Sequence, residues 1–371
     1  MTHTLAKFPT KCNSLNFIRL VLAVLVIVSH SWAIGRFGKE PHFGQFSLGG
    51  FAVAGFFTLS GWLITQSRMS SELPSYLWRR FCRVYPGYLV ALLVVGFVFA
   101  PIGSAVSSGD YHLSNGFGYV MKNVTLNIRD YTVGSSLPSW SWPAWNGSLW
   151  SLRYEVACYL VIGLVLTTVG RRWLKATSIS GLAGLTIAFL IWQAAGPRGM
   201  TFVPEFLGLA PFFFAGAVLF AFRDQVPLRG IYAATSVAFA IFVVWTGVTP
   251  TLAAIPIAYF FLWLGATLPA IFQRIGREND LSYGAYIYAF PVQQLLALIG
   301  AAKFGVVFYI AVSVVSTLPL AAASWFAVER PANRWRHAFD RFPLVRNGYG
   351  IKRRPESITP YPASSAEVLQ K

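Results

Sequence analysis

The chain has 371 residues, 55% of them hydrophobic and only 12% charged, with a mean hydropathy of +0.55. Thirty Lys and Arg against thirteen Asp and Glu leave a net charge of +17. Charged residues at about half the soluble-domain share, set in short basic blocks between apolar runs, exclude a disordered chain, a nucleic-acid-binding module and an ordinary soluble enzyme.

A helix needs about 20 mostly apolar residues to cross a bilayer. Ten runs of that kind follow one another, at about 15–34, 46–65, 84–103, 148–169, 178–195, 204–222, 230–247, 252–271, 281–300 and 305–327. The first is too long for the apolar part of a cleaved signal peptide and is read as a span. Pro204 and Pro211 interrupt the sixth. The fold class is therefore an all-α integral membrane protein, a bundle of about ten transmembrane helices. Residues 1–341 form the membrane domain, and 342–371 a basic, polar tail.

Basic blocks alternate along the chain. Lys7 and Lys11, then Arg68 with Arg79, Arg80 and Arg83, then Arg171, Arg172 and Lys175, then Arg223 and Arg229, then Arg274 and Arg277, all fall on one side, as do the arginines after the last run. The other side holds Arg36, Lys39, Lys122, Arg129, Arg198 and Lys303. The positive-inside rule then puts both termini in the cytoplasm. The long segment 104–147 lies outside. Its Trp140, Trp142 and Trp145 suit a membrane interface or a platform for stacking sugars. Cys12, Cys82 and Cys158 are far apart and show no metal-ligand spacing, so no metal site is expected.

Ionisable groups inside spans are costly and mark function by default. The first span carries Arg19 and His30. Eleven residues make close to three turns, so the two share one helix face about 16 Å apart. In the fourth span Glu155 shares a face with Ser151, and a lone membrane carboxylate needs a partner. His30, taken to lie at similar depth, is the expected one. Arg79, Arg80 and Arg83, before the third span, suit phosphate groups, which guanidinium binds bidentately. Topological signalling is the plainer reading of the same block. Ser60-Gly61 is a small pair that lets helices approach closely.

Taken in order, these features resemble the membrane-bound acyltransferase-3 family, which includes O-antigen, exopolysaccharide and Nod-factor O-acetyltransferases. The matching residues are Arg19-x10-His30, Phe56-Phe57-x-Leu59-Ser60-Gly61, Arg79-Arg80-x-x-Arg83-x-x-Pro86 and Ser148-Leu149-Trp150-Ser151-Leu152-x-x-Glu155. Ser282-Tyr283-x-x-Tyr286 and Glu329-Arg330-Pro331 follow. Two departures stand out: Val53-Ala54-Gly55 where members often carry an acid before the Phe pair, and no His after Tyr286. The stand-alone form, without a C-terminal esterase-like domain, is the one resembled.

The resemblance implies acetyl-CoA, or another acyl-CoA, as co-substrate. It implies a carbohydrate or glycolipid hydroxyl as acceptor and the bacterial cytoplasmic membrane as location. The expected partners are the lipid bilayer, acyl-CoA and that acceptor, with no nucleic acid. On this reading His30 is the general base and Glu155 orients it, while Arg19, Arg79, Arg80 and Arg83 hold the donor. Trp150, Ser151 and Ser60 contact substrate, and Ser151, Trp150 and Arg153 are candidate donors to the oxyanion. Direct transfer and an acyl-His intermediate both remain open. A transporter or flippase of a lipid-linked sugar would also carry ten spans and buried charges, but no inverted repeat is visible.

Overall fold

The structure is a computed structural model describing residues 8–9, 12–196 and 202–341. The tail expected at 342–371, together with Lys7, Lys11 and Arg198, lies outside the described residues. Among the described residues, eight helical segments are long and apolar enough to cross a membrane. Two further helices of 17 residues occupy the seventh and ninth expected runs. Among the described residues, the only strands are His42–Phe43 and Phe46–Ser47, a two-residue antiparallel ladder.

Helix α1 spans Leu15–Ile34 without interruption. The hairpin leads into α2, Leu48–Met69, where the Ser47 side chain caps the helix by accepting from the Gly50 amide at 2.9 Å. That cap satisfies one of the otherwise orphaned first-turn donors. The second span therefore starts at Leu48, because Phe46 is spent in the hairpin. Pro74 opens α3, Leu73–Val94, at a position where its missing N–H costs nothing. A π turn, Val95–Phe99, carries α3 into α4, Ala100–Ser107, as one 35-residue helical segment. Arg79, Arg80 and Arg83 thus stand inside a helix and not before it, which corrects the third expected span. The segment expected outside, 104–147, is partly folded: it holds α5, Leu113–Asn123, too short to span.

A 3-10 turn, Gly147–Ser151, leads into α6, Leu152–Thr168. Next come α7, Leu174–Ala194; α8, Phe202–Ala221; and α9, Gly230–Thr246, which ends on Gly247 in the left-handed region at φ 69°. The eighth expected run is shorter than read. Helix α10, Ala254–Thr267, stops at Leu268, which Pro269 forces into an extended conformation, and α11, Ala270–Arg274, restarts beyond it. Helix α12 is Ser282–Leu298. Helix α13, Val306–Ser324, continues through a second π turn, Trp325–Glu329, into α14, Arg330–Arg334, so the last span also runs past its expected end.

The centre of the bundle is α2, most of whose length is buried. It meets α8 where two glycines interlock. A Cβ on Gly61 would fall 1.8 Å from the Phe213 carbonyl oxygen, and one on Gly216 would fall 2.1 Å from that of Thr58. Such contacts let backbones approach where no hydrophobic force drives helices together. At the periphery, α7 and α9 turn Ile187, Ile191, Ile241, Phe242 and Trp245 outward, as expected of a surface solvated by lipid tails.

Candidate functional site

Three polar clusters lie along the inner helices. The first ties α1, α3, α12 and the second π turn together at the end of the bundle where α1 begins. Arg19 donates to Asp280 Oδ2 at 2.7 Å, and Arg83 donates to the same oxygen at 2.6 Å. Arg83 also reaches Glu329 Oε2 at 3.0 Å and lies over the rings of Tyr283 and Trp325. The other oxygens are filled as well: Asp280 Oδ1 accepts from the Ser282 amide and hydroxyl, and Glu329 Oε1 from the Ser324 hydroxyl. The wide π turn ends on Glu329 and brings it inward, where it is 1% exposed. Two cations thus meet two carboxylates. Asp280 precedes α12 and lies outside the spans. Burial pushes its carboxyl up, and Arg19 and Arg83 more than reverse this, bringing it to about 2. Arg19 and Arg83 are therefore already paired. Arg80 carries no carboxylate among the described residues, and its Nε is buried without a hydrogen-bond partner.

The second cluster sits deeper. Glu155 Oε1 accepts from the Ser60 hydroxyl at 2.5 Å and from the Tyr159 hydroxyl. Tyr159 is one turn along α6 from Glu155 and faces Arg80. One turn before Glu155, the Ser151 hydroxyl bonds the Tyr286 hydroxyl at 2.8 Å, and Tyr286 in turn donates to the Ser148 carbonyl at 2.6 Å. Ser60 is thus a polar partner, while its neighbour Gly61 carries the packing role read for the pair. With Tyr286 donating to Ser148, the Ser151 hydrogen goes to Tyr286, so this serine is occupied as a donor. Arg153 points away from Glu155 to Asn127 and the ring of Tyr154; Trp150 packs edge-on to Tyr154.

The third cluster surrounds His30 at the far end of α1. Its ring meets Phe290 edge-to-face with centroids 5.0 Å apart. Its Nδ1 is buried and has no hydrogen-bond partner. Arg19 meets Asp280, just before α12, and His30 meets Phe290 within it, so the two side chains share a stripe directed into protein. The expected bond between His30 and Glu155 is not formed. His30 lies four residues from its helix end, about 6 Å in, whereas Ser60, Glu155's partner, lies twelve residues into α2, about 18 Å deep.

Sequence reasoning missed Asp280, Tyr159, Gln293 and Gln294. An acid directly before an apolar run, and adjacent amides within one, were the available signals. Among the tryptophans of the outer segment, Trp140 and Trp142 are exposed, but Trp145 is fully buried with its indole N–H on Ser136, so it serves the core. A cavity of about 360 Å³ opens beside the start of α1, lined by Phe8, Leu15, Trp62, Gln66, Phe220 and Arg223 among others. His30 and Glu155 do not line it.

Residues 13–326 match a family model described as an acyltransferase domain. An O-acetyl transferase of Shigella phage Sf6 is 28% identical over 342 residues, covering 86% of this chain and 96% of that protein. Nodulation protein 10 of Rhizobium leguminosarum bv. viciae is 29% identical over 360 residues, covering 87% and 94%. No solved structure matches. With the family match spanning every cluster above up to Trp325, the chain belongs to the acyltransferase-3 family.

Proposed function

We propose that this protein is a membrane O-acyltransferase of the bacterial cytoplasmic membrane. It moves an acyl group, in the first instance acetyl, from cytoplasmic acyl-CoA to a hydroxyl of a carbohydrate or glycolipid on the opposite side. The observation carrying the reading is His30: a buried ring nitrogen without a partner, on the helix face that also bears Arg19. An unsatisfied polar atom in a membrane bundle is costly and calls for a function. The phage relative, named an O-acetyl transferase, supports the acetyl group by analogy.

The donor's phosphates meet Arg80 and its neighbour Arg79 at the cytoplasmic end. Arg19 and Arg83, neutralised by Asp280 and Glu329, shape the passage below them. Glu155, with Ser60 and Tyr159, lines the mid-depth stretch and acts as a positioning group, not as His30's partner. Trp150 and Ser151 flank the acceptor end. His30 takes the proton of the acceptor hydroxyl as its oxygen attacks the thioester carbonyl. When the C–S bond breaks, the imidazolium returns that proton to the leaving thiolate, giving ester and free CoA. A base of this kind contributes about 10²–10⁴ in rate. His30→Ala should therefore cut acetyl transfer from radiolabelled acetyl-CoA by at least a hundredfold at normal membrane abundance. Full transfer by that variant would remove His30 from the reaction.

A further inference from the structure

Helix α12 carries two adjacent glutamines, Gln293 and Gln294, both 0% exposed. Their amide nitrogens are committed. Gln293 Nε2 donates to the Ile27 carbonyl at 2.9 Å and the Ser31 hydroxyl at 2.8 Å. Gln294 Nε2 donates to the Trp142 and Ala144 carbonyls at 2.7 and 2.5 Å. Because Ile27, Trp142 and Ala144 offer carbonyls, only the NH₂ ends can face them, and the orientation of both amides is fixed. Each Oε1 is left buried with no partner. Buried polar atoms are nearly always satisfied, so these two orphans need an explanation.

Their place in the fold supplies one. Phe290, three and four residues earlier on α12, lies between the two glutamines on the helix surface. Its ring meets His30 on one side, and on the other it lies where a Cβ on Gly147 would come within 2.4 Å. Gln293 grips α1 on both sides of His30, at Ile27 and Ser31, while Gln294 grips the outer segment beside exposed Trp142. Near one phenyl ring, the molecule thus holds three buried polar atoms without partners, His30 Nδ1 and two amide oxygens; the oxygens can only accept, and Nδ1 accepts in the Nε2–H tautomer that the general-base reading requires. A thioester, a phosphate or an acyl chain has no hydrogen to give them. A hydroxyl does.

We infer that Gln293 and Gln294 form, with His30, an acceptor subsite for a polyol, in which the reactive hydroxyl donates to His30 and a neighbouring hydroxyl donates to a glutamine Oε1. The subsite rests on the general-base reading of His30 and adds to it a requirement for more than one hydroxyl on the acceptor. The unpaired oxygens discriminate against an acceptor that cannot fill them, since a site built to bond a hydroxyl is penalised when it is missing.

The test uses the purified full chain in lipid nanodiscs with acetyl-CoA. The probes are cyclohexanol, cis-1,2-cyclohexanediol and trans-1,2-cyclohexanediol, with ester formation measured by mass spectrometry. One diol should exceed cyclohexanol in kcat/KM by at least about tenfold, roughly one neutral hydrogen bond and well beyond the statistical advantage of a second hydroxyl. Gln293→Met or Gln294→Met, whichever oxygen the neighbouring hydroxyl of that diol reaches, should lower that ratio. If the Met variants slow diol and mono-ol alike, the glutamines only brace α1 and the outer segment, with an ordered water on each oxygen, and the inference is overturned. Equal use of diol and mono-ol by the parent, or no ester from any probe, overturns it as well. His30→Ala, run in parallel, separates the two readings: retained transfer would defeat the general base, while the parent's diol ratio still reports on the glutamines.

Discussion

At the scale of single residues, the carboxylates decide which basic groups remain available. Asp280 shares one oxygen between Arg19 and Arg83, and Glu329 takes the rest of Arg83. Among the described residues Glu155 has no such cation; it is held by two hydroxyls. Glu155→Gln keeps the shape but replaces an oxygen pair with an amide that offers one acceptor and one donor end, so it should cost about 1–2 kcal/mol of stability and lower acyl transfer at least about tenfold. Thermal unfolding in detergent and a transfer assay read the two effects, and parental values in both would show the carboxylate to be idle. Arg19, His30, Glu155 and the arginine block were legible as residues because charge is rare in apolar spans. Their pairings were not. Which carboxylate meets which cation depends on depth and on neighbouring helices, and periodicity along one helix reports neither.

Elements were legible wherever hydropathy alone defines them. The first run matches α1 to the residue, since nothing in it competes with the helix. The errors have local causes: a hairpin consumed the start of the second run, Pro269 ended the eighth, and π turns let the third and tenth continue past their apolar stretches. A π turn preserves the hydropathy pattern while shifting the face that follows, so it leaves no mark on the sequence. Packing between elements turns on glycines that look alike on paper. Gly61→Ala would drive a methyl group into the Phe213 carbonyl, and overpacking of this kind costs about 1–3 kcal/mol or more. At Gly184 in α7 an added methyl group would meet no atom within 4 Å, so Gly184→Ala should be neutral or stabilising by up to about 1 kcal/mol through helix propensity. Size-exclusion profiles and melting temperatures of the two variants should diverge; a well-folded Gly61→Ala protein would mean that α2 and α8 can separate cheaply.

For the whole molecule, the proposed reaction requires a defined sidedness, which the cysteines can report. Cys12 is exposed near the start of α1, and Cys82 and Cys158 are buried. A membrane-impermeant maleimide should label the folded protein in inside-out vesicles and leave it unlabelled in intact spheroplasts, with Cys12→Ser abolishing the signal. Labelling from the outer face would invert the proposed route from donor to acceptor.

Helices α1 and α12 run in the same direction and are held at both ends: Asn16 to the Gly276 carbonyl and Arg19 to Asp280, in the segment leading into α12, at one, and Gln293 to Ile27 and Ser31 at the other. Two rods bolted together at top and bottom cannot slide past each other. The rise from Arg19 to His30 is consequently a length written in peptide geometry, about 16 Å of uninterrupted helix, and works as a built-in ruler. Thinning or thickening of the surrounding lipid can tilt the pair as a unit, but it leaves the graduation unchanged.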